Sequence, residues 1–481
     1  MDAGDRIQKC MSVSEVVEEL KRMKDIGLPI TLINLVGYLR SMVSVLCMGR
    51  LGRLDLAGGA LAVGFTNVTG YSVLAGLAMG MEPLCSQALG SRNRALASRT
   101  LYHTIALLLL ASLPISFLWI NLHKILLFLR QDPDVALVAA RYCRYAVPDL
   151  ITASFLHPVR VYHRSRNTLH PLMWCTSISL LLHLPLTLTL SSRLAVPGVA
   201  LANSATNFLT LLLLLIHTSM YPSSGEDLGD GPPEISRAGS WCRLLRLAVP
   251  SCLGVCLEWW WYELMMTIAA GYLADPAVAL STAAIVIQTT SLMYTIPTTL
   301  SAAVSARVGN ELGACRPRGA RAAAAAAMGL AILTSCVSLA WTTLARNAWS
   351  KVFTSDGDVL ELTNTILPVI GVCELANFPQ TTGCGVLRGS ARPGIGAVIN
   401  LVSFYVVGAP VALFLAFKVE MGFLGLCLGL LAAQLVCASA IGIVIFRTDW
   451  EKEALKSVDL VGTPSIMRLE EECELLKDVG I

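Results

Sequence analysis

Glu258 and Glu263 stand in the run Cys256-Leu-Glu-Trp-Trp-Trp-Tyr-Glu263, inside an apolar stretch that extends from about Leu244 to Tyr272. An ionised acid near the centre of a bilayer costs about 2.5–3.5 kcal/mol on insertion scales, so such residues face a cavity and bind something by default. Glu374 occupies a second apolar stretch, with Asn377 one helical turn later on the same face. Withdrawal from water favours the protonated form of a carboxyl group, and three carboxyl groups so placed suit reversible proton binding. Glu258 and Glu263 are separated by about 140° around a helix and face different ways, whereas Glu258 and Tyr262 share a face. Gln288, Tyr294 and the pair Asn34 and Tyr38 are further polar groups within apolar runs. They are candidates for the wall of a substrate cleft, or for hydrogen bonds between helices. Trp259, Trp260 and Trp261 cover almost the whole circumference of one helix and read mainly as interfacial anchors. A ring that does face inward can take an organic cation by cation–π attraction.

The elements that must carry these groups are transmembrane helices. The chain has 481 residues, 55% of them hydrophobic and 14% charged, against about 25% charged in soluble domains. A span needs about 20 mostly apolar residues. That template finds twelve, near 28–49, 58–84, 100–120, 144–162, 171–190, 196–219, 244–273, 279–304, 323–343, 361–385, 394–417 and 421–446. The even-numbered loops hold most of the basic residues (Arg92, Arg94 and Arg99; Arg164 and Arg166; Arg237; Arg307, Arg316, Arg318 and Arg321; Arg388 and Arg392), which places both termini in the cytoplasm. Ser86-Gln-Ala-Leu-Gly90 after the second span corresponds to Ser305-Ala-Arg-Val-Gly309 after the eighth, and Arg164…Pro171 to Arg388…Pro393. Each match lies six spans after its partner, the sign of a parallel repeat and of a transporter with its site between or within two halves.

The expected fold is therefore an all-α membrane protein of twelve transmembrane helices in two pseudo-symmetric six-helix lobes. A cytoplasmic segment (1–25) precedes an N-lobe (26–220), a cytoplasmic linker (221–242), a C-lobe (243–446) and a cytoplasmic tail (447–481). No signal peptide is expected. Ser12 and Glu15 suggest a capping box before a short amphipathic helix at the membrane surface or under the bundle. The tail, ending in Glu470-Glu-Glu-Cys-Glu474, reads as a solvated helix or as disorder. Pro297, Pro368 and Pro379 mark kinks within spans. Gly383-Cys-Gly385 and Gly425-x-x-x-Gly429 suit close helix packing.

The net charge of +3 is too small to argue for nucleic acid. Walker, HExxH and nucleophile-elbow motifs are missing, and the fifteen cysteines show no CxxC metal spacing and read as packing residues. Neither an enzyme nor a cofactor is expected.

The segments Cys256–Glu263, Met81-Glu-Pro-Leu-Cys-Ser-Gln-Ala-Leu-Gly90, Ser305-Ala-Arg-Val-Gly-Asn-Glu-Leu-Gly-Ala314 and Gln380-Thr-Thr-Gly-Cys-Gly-Val-Leu-Arg-Gly389 resemble the multidrug and toxic compound extrusion (MATE) family, in its plant detoxification branch. The resemblance covers roughly residues 25–447. It implies two six-helix lobes around a central cleft, rocking between inward- and outward-facing states. It further implies export of an organic solute (xenobiotic, secondary metabolite or hormone) in exchange for protons rather than sodium, with the family's helix-7 acids at Glu258 and Glu263. In helix 10 the sequence departs from the family, with Asn377 at the usual position of an acid and Glu374 one turn earlier. His163-Arg-Ser-Arg166 is also more basic than the family's glutamine-rich segment. The expected partners are a small organic solute and membrane lipids, the expected state a monomer, and the expected site a plasma membrane or endomembrane. A lipid or oligosaccharide flippase, or a non-transporting receptor or scaffold, is the alternative.

Overall fold

The structure, a computed structural model, describes residues 13–220 and 237–462. Ser12 of the expected capping box, most of the expected linker and the acidic Glu470–Glu474 run lie outside the described residues. Among those residues the backbone is almost wholly helical and contains no strand. In hydrocarbon every N–H and C=O must bond within the chain, and a helix achieves this locally.

The twelve long helices are α1 (Val13–Leu51), α2 (Arg53–Gly90), α3 (Arg94–Ile120), α4 (Pro133–Ser165), α5 (Leu169–Leu194), α6 (Val196–Met220), α7 (Gly239–Tyr272), α8 (Pro276–Gly313), α9 (Pro317–Leu344), α10 (Gly357–Gly389), α11 (Pro393–Lys418) and α12 (Phe423–Phe446). Eleven are long and apolar enough to cross a membrane. The twelfth, α4, is long enough, but Arg141, Arg144, Asp149, Arg160 and Arg164 interrupt its apolar face. Starts are set by local chemistry. Asp132, Asp275 and Asp356 accept hydrogen bonds from backbone N–H groups in the first turns of α4, α8 and α10, and proline occupies the first turn of α4, α8, α9 and α11. Pro297, Pro368 and Pro379 lie inside α8 and α10. The segment expected to form a separate amphipathic helix is instead the first part of α1, and its Met23 packs with Ile26, Ile30 and Leu156 in a common core.

Helices α1–α6 pack on one another as one lobe and α7–α12 as the other, while α1 and α2 of the first lobe lie against α7 and α8 of the second. The even-numbered helices end, and the odd-numbered ones begin, on the face that carries both ends of the described chain, here called the base. There the lobes meet through glycines. A Cβ on Gly90 would collide with the Asn310 carbonyl, one on Gly313 with the Gln87 carbonyl, and one on Gly80 with the Ala248 Cα. Within the C-lobe, Gly385 lies against Ser301, and Gly425 and Gly429 against Ala416 and Ala412.

Ion pairs complete the base. Glu82 on α2 accepts from Arg388 Nε on α10 at 3.1 Å and lies 3.6 Å from Arg164 on α4. Glu19 on α1 holds Arg307 on α8 through two bonds, of 2.9 and 3.1 Å, and Gln87 donates to the Gly389 carbonyl at 2.9 Å. Arg164, Arg307 and Arg388, expected as loop charges, are thus held between helices. Part of the tail is also docked. A thirteenth helix, α13 (Trp450–Val461), buries Ala454, Ser457 and Val461. The Asn93 side chain of the N-lobe donates to its Val461 carbonyl at 3.0 Å and Arg243 of α7 to its Leu460 carbonyl at 2.8 Å. The solvated reading of this segment is corrected: its small apolar positions lie on one face and find a partner under both lobes.

Two outcomes follow from the base. Gly313→Val drives a branched side chain into the Gln87 backbone, and overpacking costs about 1–3 kcal/mol. The purified variant should melt several degrees below wild type, whereas Gly329→Val, with nothing within 4 Å of its Cβ position, should not; equal melting of the two would refute the packing argument. Arg388→Gln strips Glu82 of its nearest cation and leaves a buried charge behind, a loss of about 3–5 kcal/mol where the site cannot relax. Amide exchange of segments 82–90 and 305–313 should accelerate by about tenfold or more, and unchanged exchange would show that the pair does not hold the base.

Candidate functional site

Away from the base the lobes separate around a cavity of about 1190 Å³, somewhat above the roughly 300–1,000 Å³ typical of ligand pockets. It runs from the level of Arg160 and Thr298 to Leu56, one turn from the far end of α2. Its walls are mainly apolar, with Val36, Met48, Leu61 and Phe65 on the N-lobe side and Leu264 and Ile287 opposite. Of the expected cleft residues, Asn34, Tyr38, Gln288 and Tyr294 line it. Asn34 donates to Thr298 and Thr299 at 3.2 and 3.1 Å, so it also ties α1 to α8. The Tyr38 hydroxyl is buried and has no hydrogen-bond partner.

Two short π-helical turns meet at this cavity, Asn67–Tyr71 within α2 and Tyr262–Ile268 within α7. Such turns disrupt the regular helical ladder and concentrate at functional sites. Trp260 Nε1 donates to the Val68 carbonyl at 2.9 Å across the two lobes. The tryptophan run is therefore divided. Trp260 lines the cavity, and Trp261 is fully buried in the C-lobe, where its Nε1 donates to the Phe404 carbonyl at 3.0 Å. For these two rings the interfacial reading gives way to internal packing, because each indole N–H finds a backbone acceptor on a neighbouring helix. Glu263 lines the cavity next to Gly64.

Glu258 and Glu374 lie elsewhere, in a polar cluster inside the C-lobe. Glu374 is 1% exposed and accepts from Asn377 Nδ2 at 2.8 Å; Thr381 in turn donates to Asn377 Oδ1 at 3.3 Å. Glu258, 8% exposed, accepts from the Tyr294 hydroxyl at 3.2 Å. The two carboxylates are close enough to interact electrostatically, and Tyr262 interacts with both. Tyr262 also accepts from Gln434 at 3.4 Å. Asn377 and Tyr262 therefore belong to this cluster behind the cavity wall rather than to the wall itself, since α10 turns its polar face toward α7 and α8. Tyr294 does both jobs: it touches Glu258 and it lines the cavity.

A second polar cluster, in the N-lobe, was not singled out from the sequence. Asp149 on α4, 2% exposed, accepts from the Tyr71 hydroxyl at 2.6 Å and from Asn207 at 2.7 Å. Arg40 on α1 donates to the same Asn207, and Arg40 and Arg160 both line the cavity. The available signal was plain: Arg40 and Asp149 are charges inside apolar runs, and the rule that drew attention to Glu258 applies to them equally. No group of three or more His, Cys, Asp or Glu side chains able to hold a metal is found among the described residues.

Comparison with known proteins agrees with this architecture. The MatE family profile matches residues 29–189 and 250–414, one stretch in each half. Protein DETOXIFICATION 55 of Arabidopsis thaliana is 56% identical over 481 residues, covering 96% of each chain. Protein DETOXIFICATION 51 of the same plant is 46% identical over 450 residues, 93% of this chain and 84% of its own. The crystal structure of the eukaryotic MATE transporter AtDTX14 superposes with a TM-score of 0.86 at 30% identity, covering 93% of this chain and all of that one. An outward-facing multidrug resistance MATE transporter of the MOP superfamily shares the fold, with a TM-score of 0.79 at 15% identity over 92% of this chain and 96% of its own. Twelve long helices in two lobes, charged residues kept inside them and relatives matching nearly end to end lead to one conclusion: the chain belongs to the MATE family of transporters and is an integral, multi-pass membrane protein.

Proposed function

We propose that the protein is a secondary antiporter that exports an organic solute in exchange for protons by alternating access. The observation that carries this reading is the pair Glu258 and Glu374. Both are buried, both are bonded to neutral donors, and neither forms an ion pair among the described residues. A charged carboxylate in such surroundings is expensive, and taking up a proton relieves the expense. Tyr294 supplies the link to the solute, since its hydroxyl bonds Glu258 while its ring faces the cavity.

In this cycle the base, with both termini, lies on the cytoplasmic side, and the far face opens to the exterior or to an organelle lumen, in a plasma membrane or endomembrane. The closed base and accessible cavity correspond to the outward state. Protons reach Glu258 and Glu374 from that side, change the hydrogen bond to Tyr294 and with it the cavity's hold on the solute. Return to the inward state breaks the Glu82–Arg388 and Glu19–Arg307 pairs and delivers the protons to the cytosol. Proton and solute drive one another only so far as each binds the two states with different affinity. In this reading Glu263, which borders the cavity rather than the buried cluster, faces the solute.

Proteoliposomes with an imposed pH gradient test the assignment. Glu258→Gln and Glu374→Gln should each lower gradient-driven solute flux by about tenfold or more, the scale of a coupling free energy of 1.4 kcal/mol, while the proteins remain monodisperse. Glu263→Gln should alter the apparent affinity for solute and leave flux responsive to the gradient. If both Glu258→Gln and Glu374→Gln transport like wild type, coupling lies outside this cluster.

A further inference from the structure

The N-lobe wall of the cavity is cationic. Arg40 and Arg160 come from different helices, α1 and α4, yet both guanidinium groups line the same space and lie close enough to repel one another. Neither forms an ion pair among the described residues. The nearest acid, Asp149, is already engaged: its two oxygens accept from Tyr71 and Asn207, and the Asn207 amide stands between it and Arg40. Arg164, one turn further along α4, pairs instead with Glu82 at the base. His157, His183, Tyr71 and Tyr142 also sense this cluster, and none supplies negative charge. Two donors are left over. Arg160 Nε and the Tyr38 hydroxyl are buried without a hydrogen-bond partner, and both residues line the cavity. Glu263 is the only carboxylate among the lining residues, and it stands on the other lobe.

Buried unpaired charge and unpaired donors each cost free energy that a complementary partner recovers. A planar guanidinium matches a carboxylate in geometry as well as charge. Elsewhere on this wall Val36, Met48, Leu61 and Phe65 offer apolar surface to the body of the same molecule, interspersed with hydroxyls such as Ser41 and Thr210.

We propose that the transported solute is an organic anion, a carboxylate on an apolar body, whose carboxylate is held by Arg40, Arg160 and the Tyr38 hydroxyl on the N-lobe wall of the cavity. This rests on the reading of that cavity as the solute chamber and does not require proton coupling. On one side of the chamber the arginines take the anionic group; on the other, Tyr294 and the C-lobe carboxylates respond to protons. A solute seated against the N-lobe thus leaves the proton cluster free to titrate.

Three near-isosteric probes test the charge selection directly: naphthalene-1-acetate, naphthalene-1-acetamide and 2-(1-naphthyl)ethylammonium. Each is titrated by calorimetry against the full chain in nanodiscs of phosphatidylcholine, which contain no net-anionic lipid, without any gradient. The acetate is expected to bind at least about tenfold more tightly than the amide or the ammonium. Arg160→Gln is expected to weaken the acetate by about tenfold or more and to leave the amide unchanged, with partial recovery in Arg160→Lys. Arg40→Gln, which also disturbs Asn207, serves as the second variant. Binding of the ammonium as tight as the acetate, no binding of the acetate, or acetate affinity unchanged in both glutamine variants overturns the proposal. Because no gradient is applied, these results stand apart from the flux measurements: anion binding without proton-driven transport would defeat the antiport reading alone, and proton-driven transport of the ammonium probe would defeat the anion site alone.

Discussion

Charge inside a bilayer needs either a partner or water, and this constraint sorts the charged groups where the two lobes face one another. Where partners exist, the lobes are joined. Glu82, 1% exposed, sits between Arg388 of the opposite lobe and Arg164 of its own, and Glu19 and Glu311 enclose Arg307. Arg40 and Arg160, which form no ion pair among the described residues, face the cavity between the lobes, while Glu258 and Glu374 are bonded to neutral donors inside the C-lobe. The base and the cavity are thus two solutions of one electrostatic problem, applied at different depths of the same twelve helices.

Glycine accompanies the first solution. Beside these ion pairs the backbones of α2, α8 and α10 approach until only hydrogen fits between them, at Gly90, Gly313 and Gly389. The sequence places these residues at helix ends, in the segments Ser86–Gly90, Ser305–Ala314 and Gln380–Gly389. Their repetition in both halves reflects a shared requirement for close approach beside a charge. It explains why motifs that look like loop punctuation lie inside helices.

The number and order of the helices, the division into two lobes and the C-lobe acids Glu258, Glu263 and Glu374 were legible from hydropathy, periodicity and charge placement. Every expected span overlaps a long helix. The helices, however, outrun the apolar windows: the span near 279–304 belongs to a helix running from Pro276 to Gly313. Hydropathy marks what lies in lipid, not what is hydrogen-bonded, and so it assigned Arg307 and Arg388 to loops. Arg40 and Asp149 escaped notice because a twenty-residue window tolerates one charge, and counting loop charges directs attention away from those inside. The π turns at Asn67–Tyr71 and Tyr262–Ile268 leave no pattern in residue type, since they arise from how α2 and α7 meet. The docking of α13 depends on Asn93, Arg243 and Arg392, distant positions that only the fold brings together.

A gate built from buried ion pairs also has suitable energetics for a transporter. A well-packed apolar seam would hold the base shut by the full value of the area removed from water, and that term would be lost on opening. A buried ion pair differs, because most of its Coulomb energy is offset by the dehydration of its members. In the proposed cycle, opening the base hydrates Glu82, Arg164, Arg388, Glu19 and Arg307 as they lose one another, which offsets part of the cost of parting the lobes. Small net differences are what a solute or a proton can reverse, since a ligand shifts an equilibrium only by its differential affinity. The same charges that make the closed base specific, by admitting one register of α2 against α8 and α10, therefore keep it from becoming permanent.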